Sequence, residues 1–497
     1  MHPVARLALL LIAFSGLARS ENSYLIVGGG PYPVDYDASM ERNVVWLENL
    51  VPQWNFSGGE IWYGLGAGGK PDVLFQDADR PAVSQWEPLA RVFNEAVNNR
   101  LRLSHNQVKA NAGAFTYDNV SAVLERQVGA LKRGDSLFFI YSGHGSRSRE
   151  EAYEMNGLRL LGDKRYTAKS FSEVLQSAAA GSHVRFVLPQ CFSGGFLRSV
   201  FRTPAQPTIS TLMPDDCGFV SVPESRIAEG CTVGVQAAEY RDYSTYFFAA
   251  LAGRSRTGEA LTTDPDSDHD GQITLLEAHR YAFSEAQSTD IPSSTSEAVL
   301  EMSQPWYSRW LPRLNKTPDN PYTRLAQRIA VRIGVDSDDD WQLLSAGHAL
   351  RDKVEALAQE IEATGEQART LRLSIKSRLE TVSQVKYRTL SETVEKPPSA
   401  EAQKAIDWIR SQADYPRLAA LQDRVELLKQ EQLEQRRQLA QFEKIHRAKQ
   451  LANSFDRLEQ TRPHDYLAAY DQLQQCESWS PQIRPNKVSG NNPARTQ

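Results

Sequence analysis

From about Asn22 to Gln287, short and nearly continuous apolar runs alternate with stretches of helical periodicity. Ser23-Tyr24-Leu25-Ile26-Val27, followed by three glycines, predicts a buried strand and a tight turn. Ser136 to Tyr141, Val184 to Leu188 and Thr232 to Val235 predict strands of the same kind, and Glu60 to Gly64 another. Between them, residues 40–52, Glu87 to Asn98, Tyr117 to Lys132, 168–179 and 244–253 carry apolar residues at helical spacing. Strands that are apolar throughout and separated by helices predict an α/β domain whose mostly parallel sheet is covered on both faces. In such sheets chemistry gathers on loops at the carboxyl ends of the strands.

After about Arg313 the pattern changes. Leu350, Val354, Leu357, Ile361, Ala368, Leu371, Ile375 and Val382 follow spacings of three and four, with polar Thr364 in one slot. Pro397 and Pro398 break the run, and Leu418, Leu421, Val425 and Leu428 begin a second seam, which decays through Gln432 and Gln435 before Leu439 and Phe442. Two heptad seams joined at a proline break predict an α-helical coiled-coil hairpin over 346–477. Residues 21–313 form the α/β domain, 314–345 a linker, and the polar, proline-containing 478–497 a disordered tail.

At 497 residues the chain is long enough for two or three structural units. A formal net charge of -5 makes no overall electrostatic case for nucleic acid or an anionic membrane. Residues 1–20 have a basic start ending at Arg6, an apolar run from Leu7 to about Leu17, and Ala18-Arg19-Ser20 in small-x-small form. That is a signal-peptide pattern, too short to span a membrane, and predicts an exported protein, periplasmic or extracellular, with no membrane span. The four cysteines are Cys191, Cys217, Cys231 and Cys476. Cys217 and Cys231 are placed to close a short loop, and whether they are bridged stays open.

Two loops carry the strongest chemical signal. Tyr141-Ser142-Gly143-His144-Gly145 follows one predicted buried strand, and Pro189-Gln190-Cys191-Phe192-Ser193-Gly194-Gly195 follows another. A cysteine nucleophile needs a base and an oxyanion hole. Glycines on either side let a substrate backbone approach closely. The backbone N–H groups of Gly145 and Cys191 are natural donors to such an oxyanion.

In these motifs the chain resembles the caspase–legumain–metacaspase clan of cysteine peptidases, closest to the legumain-like family and its bacterial relatives, over roughly residues 22–290. The resemblance implies a caspase-like α/β/α sandwich, with His144 as general base and acid, Cys191 as nucleophile and Gly145 in the oxyanion hole. Residues Gly157 to Tyr166 look like the clan's connecting β-turn segment. One position departs: two residues before the cysteine the clan carries Glu, Gln or Asp, and here stands Pro189. Pocket specificity then falls to other loop charges, with Asp35, Asp37, Glu239, Arg241 and Asp242 as the candidates.

Asp266-Ser-Asp268-His-Asp270-Gly271-Gln272-Ile-Thr-Leu-Leu-Glu277 fits the twelve-residue EF-hand loop at each defining position. Asp266, Asp268, Asp270, the Gln272 carbonyl and Glu277 are the candidate ligands of a structural Ca²⁺. Capping of the following helix by the same carboxylates is the competing explanation. No Walker A, zinc-type Cys/His cluster or dinucleotide fingerprint occurs. The expectation is an exported cysteine endopeptidase acting on protein or peptide substrates, without a catalytic cofactor. The alternative is a silent caspase-like scaffold that self-associates or recruits a partner protein through its coiled coil.

Overall fold

The computed structural model describes residues 20–32, 38–68, 73–76, 85–94, 101–231, 241–304, 318–385 and 398–481. Strand β1 (Asn22–Gly29) leads through α1 (Ala38–Leu50) to β2 (Gly58–Tyr63). An excursion of β3 (Val73–Gln76), α2 (Glu87–Phe93) and β4 (Leu101–Ser104) returns to the sheet at β5 (Asn111–Gly113). Next come α3 (Tyr117–Gly129), β6 (Ser136–Gly143), β7 (Gly145–Ser146), β8 (Gly157–Leu160), β9 (Lys164–Thr167), α4 (Ala168–Leu175) and β10 (His183–Leu188). Then follow β11 (Cys217–Val220), α5 (Tyr243–Ala252), α6 (Leu275–Glu285), β12 (Ser293–Ser294) and α7 (Thr295–Met302). The remainder is helical: α8 (Pro321–Ile333), α9 (Asp340–Val382), α10 (Ala400–Ser411), α11 (Tyr415–Thr461) and α12 (His464–Glu477).

Seven strands form one sheet in the order β12-β11-β10-β6-β1-β2-β5. Every neighbouring pair is parallel except β11 and β12. The apolar runs are continuous because both faces are covered. On β6, Leu137, Phe139 and Tyr141 enter one core with α3 and α4, while Phe138 and Ile140 enter the opposite core with α1, α5 and α6. Helix starts carry the residue types that satisfy free N–H groups: Thr116, Thr167 and Ser294 each accept a bond from their own helix's first turn. The strand predicted at Thr232 to Val235 lies outside the described residues. The sheet neighbour that follows Cys191 in sequence is β11, a four-residue run too short to stand out by pattern.

Antiparallel α9 and α11 pack along each other, with Arg424 bonded to Glu360 and Arg378 to Asp414 across the pair. Leu357, Ile375, Leu418 and Leu428 are buried in the seam, and the polar slot Gln432 donates to the Val354 carbonyl at 3.2 Å. Val382, at the predicted end of the seam, is 60 % exposed, whereas Leu379 is buried. The far end of the pair is closed by α2 and α10, through Leu89, Val92, Ile406 and Ile409.

Two sequence expectations change here, and the open cysteine pairing closes. The stretch expected as a linker over 314–345 contains α8, whose Tyr322, Leu325 and Ile329 are buried in the sheet domain's own core. The helical region is therefore fused to that core: Ile445, Ala448 and Leu451 of α11 belong to the same cluster as Phe139 and Phe186. The cysteine bridge joins Cys217 to Cys476, fixing α12 to β11; it does not close the short Cys217 to Cys231 loop. The first residues of the expected tail are also packed. Trp479 lies against Phe56 and Phe138, beneath the Arg185 guanidinium, and its carbonyl accepts the Leu275 N–H at 2.9 Å.

Candidate active site

β6 and β10 are adjacent and parallel, paired from Ser136 opposite His183 to Ile140 opposite Val187. The chain leaves β6 at Gly143 and β10 at Leu188, so His144 and Cys191 emerge from neighbouring strands at the same edge of the sheet. Gly145 lies directly against the cysteine loop. A Cβ on it would stand 1.9 Å from the Cys191 carbonyl oxygen, so only glycine fits the present backbone. His144 is half-buried and Cys191 only 7 % exposed.

Each loop is braced from outside. The His144 carbonyl accepts the Arg159 N–H at 2.9 Å, and Gly145–Ser146 pairs antiparallel with β8. The segment Gly157 to Tyr166, expected as a turn element, is the β8–β9 hairpin. Beyond the cysteine, Phe192 takes a left-handed conformation (φ 61°) and starts a 3₁₀ turn over Ser193–Arg198. Asn156 joins three loops at once. Its Nδ2 donates to the carbonyls of Phe192 (3.1 Å) and Glu224 (2.8 Å), and its Oδ1 accepts the Ser148 N–H at 2.9 Å. Nothing in the sequence pattern singled out Asn156.

The loop after β11 forms a wall over the thiol. Val222, Ala228 and the partly buried Phe192 pack around Cys191, and the Ala228 carbonyl lies 3.9 Å from its Sγ. The Phe192 N–H donates to the Arg226 carbonyl at 2.8 Å. Deeper in, the fully buried Asp290 accepts the N–H groups of both Glu229 and Tyr243 at 2.9 Å. Burial pushes its pKa up to about 6, against the lowering effect of those two bonds. A thiol outside any disulfide, in a loop-walled niche beside the imidazole-bearing loop, offers nucleophile and base chemistry.

The pocket candidates fare differently. Asp35, Asp37 and Glu239 lie outside the described residues. Asp242 is the N-cap of α5, accepting from Thr245 N and Thr245 Oγ1 and bonded to Ser244 Oγ. Arg241 is exposed and borders a cavity of about 280 Å³ between α8 and α11, with Arg332, Arg437, Glu434 and Gln441.

At the acidic loop, carboxylate oxygens of Asp266, Asp268 and Asp270 lie within 4.8 Å of one another. Asp266 Oδ1 is buried without a protein partner, the condition of a group aimed at a cation. Glu277 does not join them. Its Oε1 accepts from Ser267 N and Oγ (2.8 and 2.9 Å), and its Oε2 from Thr274 N and Oγ1, both at 3.0 Å. The Oε2 bonds form a capping box at the start of α6, while Oε1 ties Ser267 of the acidic loop to the same side chain.

No family model matches the chain, and no curated protein does. A solved structure of a protein from Geobacter sulfurreducens is similar at 11% identity and a TM-score of 0.32, covering 55% of this chain and 92% of its own. Likeness at that level decides neither fold family nor activity. Among the described residues no helix is long and apolar enough to cross a membrane.

Proposed function

We propose that the chain is a cysteine endopeptidase of the caspase–legumain type, with Cys191 as nucleophile and His144 as its base. The observation that carries this reading is the juxtaposition at the carboxyl edge of the sheet: adjacent parallel strands deliver the two residues, and Gly145 packs directly on the Cys191 backbone. In this mechanism the Cys191 thiol passes its proton to His144 and attacks the substrate carbonyl carbon. The Gly145 and Cys191 N–H groups receive the developing oxyanion. As the C–N bond breaks, His144 returns the proton to the leaving amine, and a thioester remains on Cys191. Water, deprotonated by His144, then releases the acid and regenerates the thiol; an amine in place of water would yield ligation.

Export is part of the proposal, supported by the residue 1–20 pattern and by a disulfide that suits an oxidising compartment. The test is hydrolysis of a mixed peptide library by wild type and by Cys191→Ala. Cleavage by the wild type and none by the variant is expected; equal cleavage by both removes Cys191 from the chemistry.

We further propose that Asp266, Asp268 and Asp270 hold a structural Ca²⁺. They supply three of the six to eight oxygens Ca²⁺ takes, and Glu277 as placed adds none. A hundredfold excess of Ca²⁺ over its Kd would add about 2.7 kcal/mol of stability, seen as a rise in Tm. Asp268→Asn is expected to abolish most of that rise. A Tm that ignores both Ca²⁺ and chelator would leave helix capping as the loop's whole role.

A further inference from the structure

Two ion pairs fasten α11 to the wall over Cys191. Glu443 lies 2.6 Å from the Arg226 guanidinium, and Arg437 lies 2.6 Å from the Glu229 carboxylate. Only Ile227 and Ala228 separate the two anchored residues. The anchored stretch touches the cysteine loop directly: the Arg226 carbonyl takes the Phe192 N–H, and the Ala228 carbonyl faces Cys191 Sγ.

The Glu229 end is the more deeply set. Its side chain is 6 % exposed, and its Oε2 also accepts the Thr289 N–H at 2.7 Å. A carboxylate so buried depends on its guanidinium partner, whereas a pair in open solvent contributes little. The Arg424–Glu360 pair farther along α11 is of the second kind, about half exposed on both sides.

We propose that Arg437 and Glu443 are positioning residues that hold residues 226–229 against Cys191, so that α11 sets the accessibility of the thiol. The consequence for peptide turnover rests on the peptidase reading; the positioning itself is read from the thiol alone.

The experiment is alkylation of the intact protein by iodoacetamide, with modification at Cys191 quantified by peptide mass spectrometry across the pH range in which a thiol titrates. Arg437→Gln is expected to raise the Cys191 rate about tenfold, because the wall opens locally without global unfolding. Arg437→Lys should restore most of the protection, and Arg424→Gln should leave the rate unchanged. An Arg437→Gln protein that melts as wild type and alkylates at the wild-type rate overturns the proposal. Should that variant fail to fold, Glu443→Gln provides the readout through the half-buried Arg226 pair, with a smaller rise expected and an unchanged rate overturning it.

The peptide-library assay separates the two claims. A wild type that cleaves nothing, with alkylation still governed by Arg437, sinks the peptidase reading and sustains the latch. Cys191-dependent cleavage with alkylation indifferent to Arg437 and Glu443 does the reverse.

Discussion

Cys476→Ser is expected to destabilise the protein by about 4 kcal/mol in denaturant unfolding. The bridge to Cys217 spans 259 positions, so in the unfolded chain it removes the entropy of a very large loop. It also holds α12 in a setting that depends on fine placement. Cys476 is 3 % exposed and its carbonyl accepts the Arg185 Nε at 2.9 Å. Next to it, the buried Glu477 carboxylate accepts from Thr295 Oγ1 (2.8 Å), Ser296 N (2.7 Å) and Ser296 Oγ (2.6 Å) at the start of α7. Burial raises the Glu477 pKa and those bonds counter it, so displacing α12 would break the bonds that offset its burial. Reduction of the wild type should produce a comparable loss. A change below roughly 1 kcal/mol in both would mean that packing alone holds α12.

Gly145→Ala is expected to lower kcat/KM for peptide cleavage by about 100-fold, the cost of a displacement near 1 Å in a catalytic group. The added methyl would meet the Cys191 carbonyl oxygen at 1.9 Å and the Gln190 Cγ at 2.9 Å. The first of these is backbone, so relief requires one of the two loops to move. The fold has room for that movement at a price of about 1–3 kcal/mol, as for other overpacked sites. Gly129→Ala, where a Cβ meets nothing within 4 Å, is the matched control and should leave turnover unchanged. Full activity in Gly145→Ala would mean that the apposition of the two loops plays no part in turnover.

Much of the sheet was legible because burial on both faces leaves a plain record. Leu137 to Tyr141 are apolar at every position and Val184 to Leu188 at all but Arg185, and they are the adjacent strands that present His144 and Cys191. The two long helices were legible for a similar reason, while Gln432, read as the point where the second seam decays, in fact bonds across to α9. What the sequence concealed depends on long-range pairing. β11 is four residues long and becomes a strand only through β10 and β12. Helix α8 is amphipathic, but nothing local says that its apolar face meets the sheet domain. Asn156 and Asp290 work by joining segments far apart in sequence, and an isolated Asn or Asp in a loop carries no mark of that.

Cysteine connectivity likewise cannot be deduced from spacing, and the bridge joins Cys217 to a partner 259 positions away. At Glu277 two patterns overlap, since Thr274-Leu-Leu-Glu277 is a capping box as well as the end of an EF-hand loop. In the structure Oε2 takes part in the capping box at Thr274, and Oε1 accepts from Ser267 of the acidic loop.

The central claim is that Cys191 is a competent nucleophile. Its most direct test is labelling of the purified protein with acyloxymethyl-ketone probes carrying Arg, Lys, Asn or Asp next to the reactive group, with Cys191→Ala alongside. The account predicts covalent labelling of the wild type at Cys191 by at least one probe and none of the variant. Equal labelling of both proteins, or no labelling of a wild type shown to be fully processed, would contradict it.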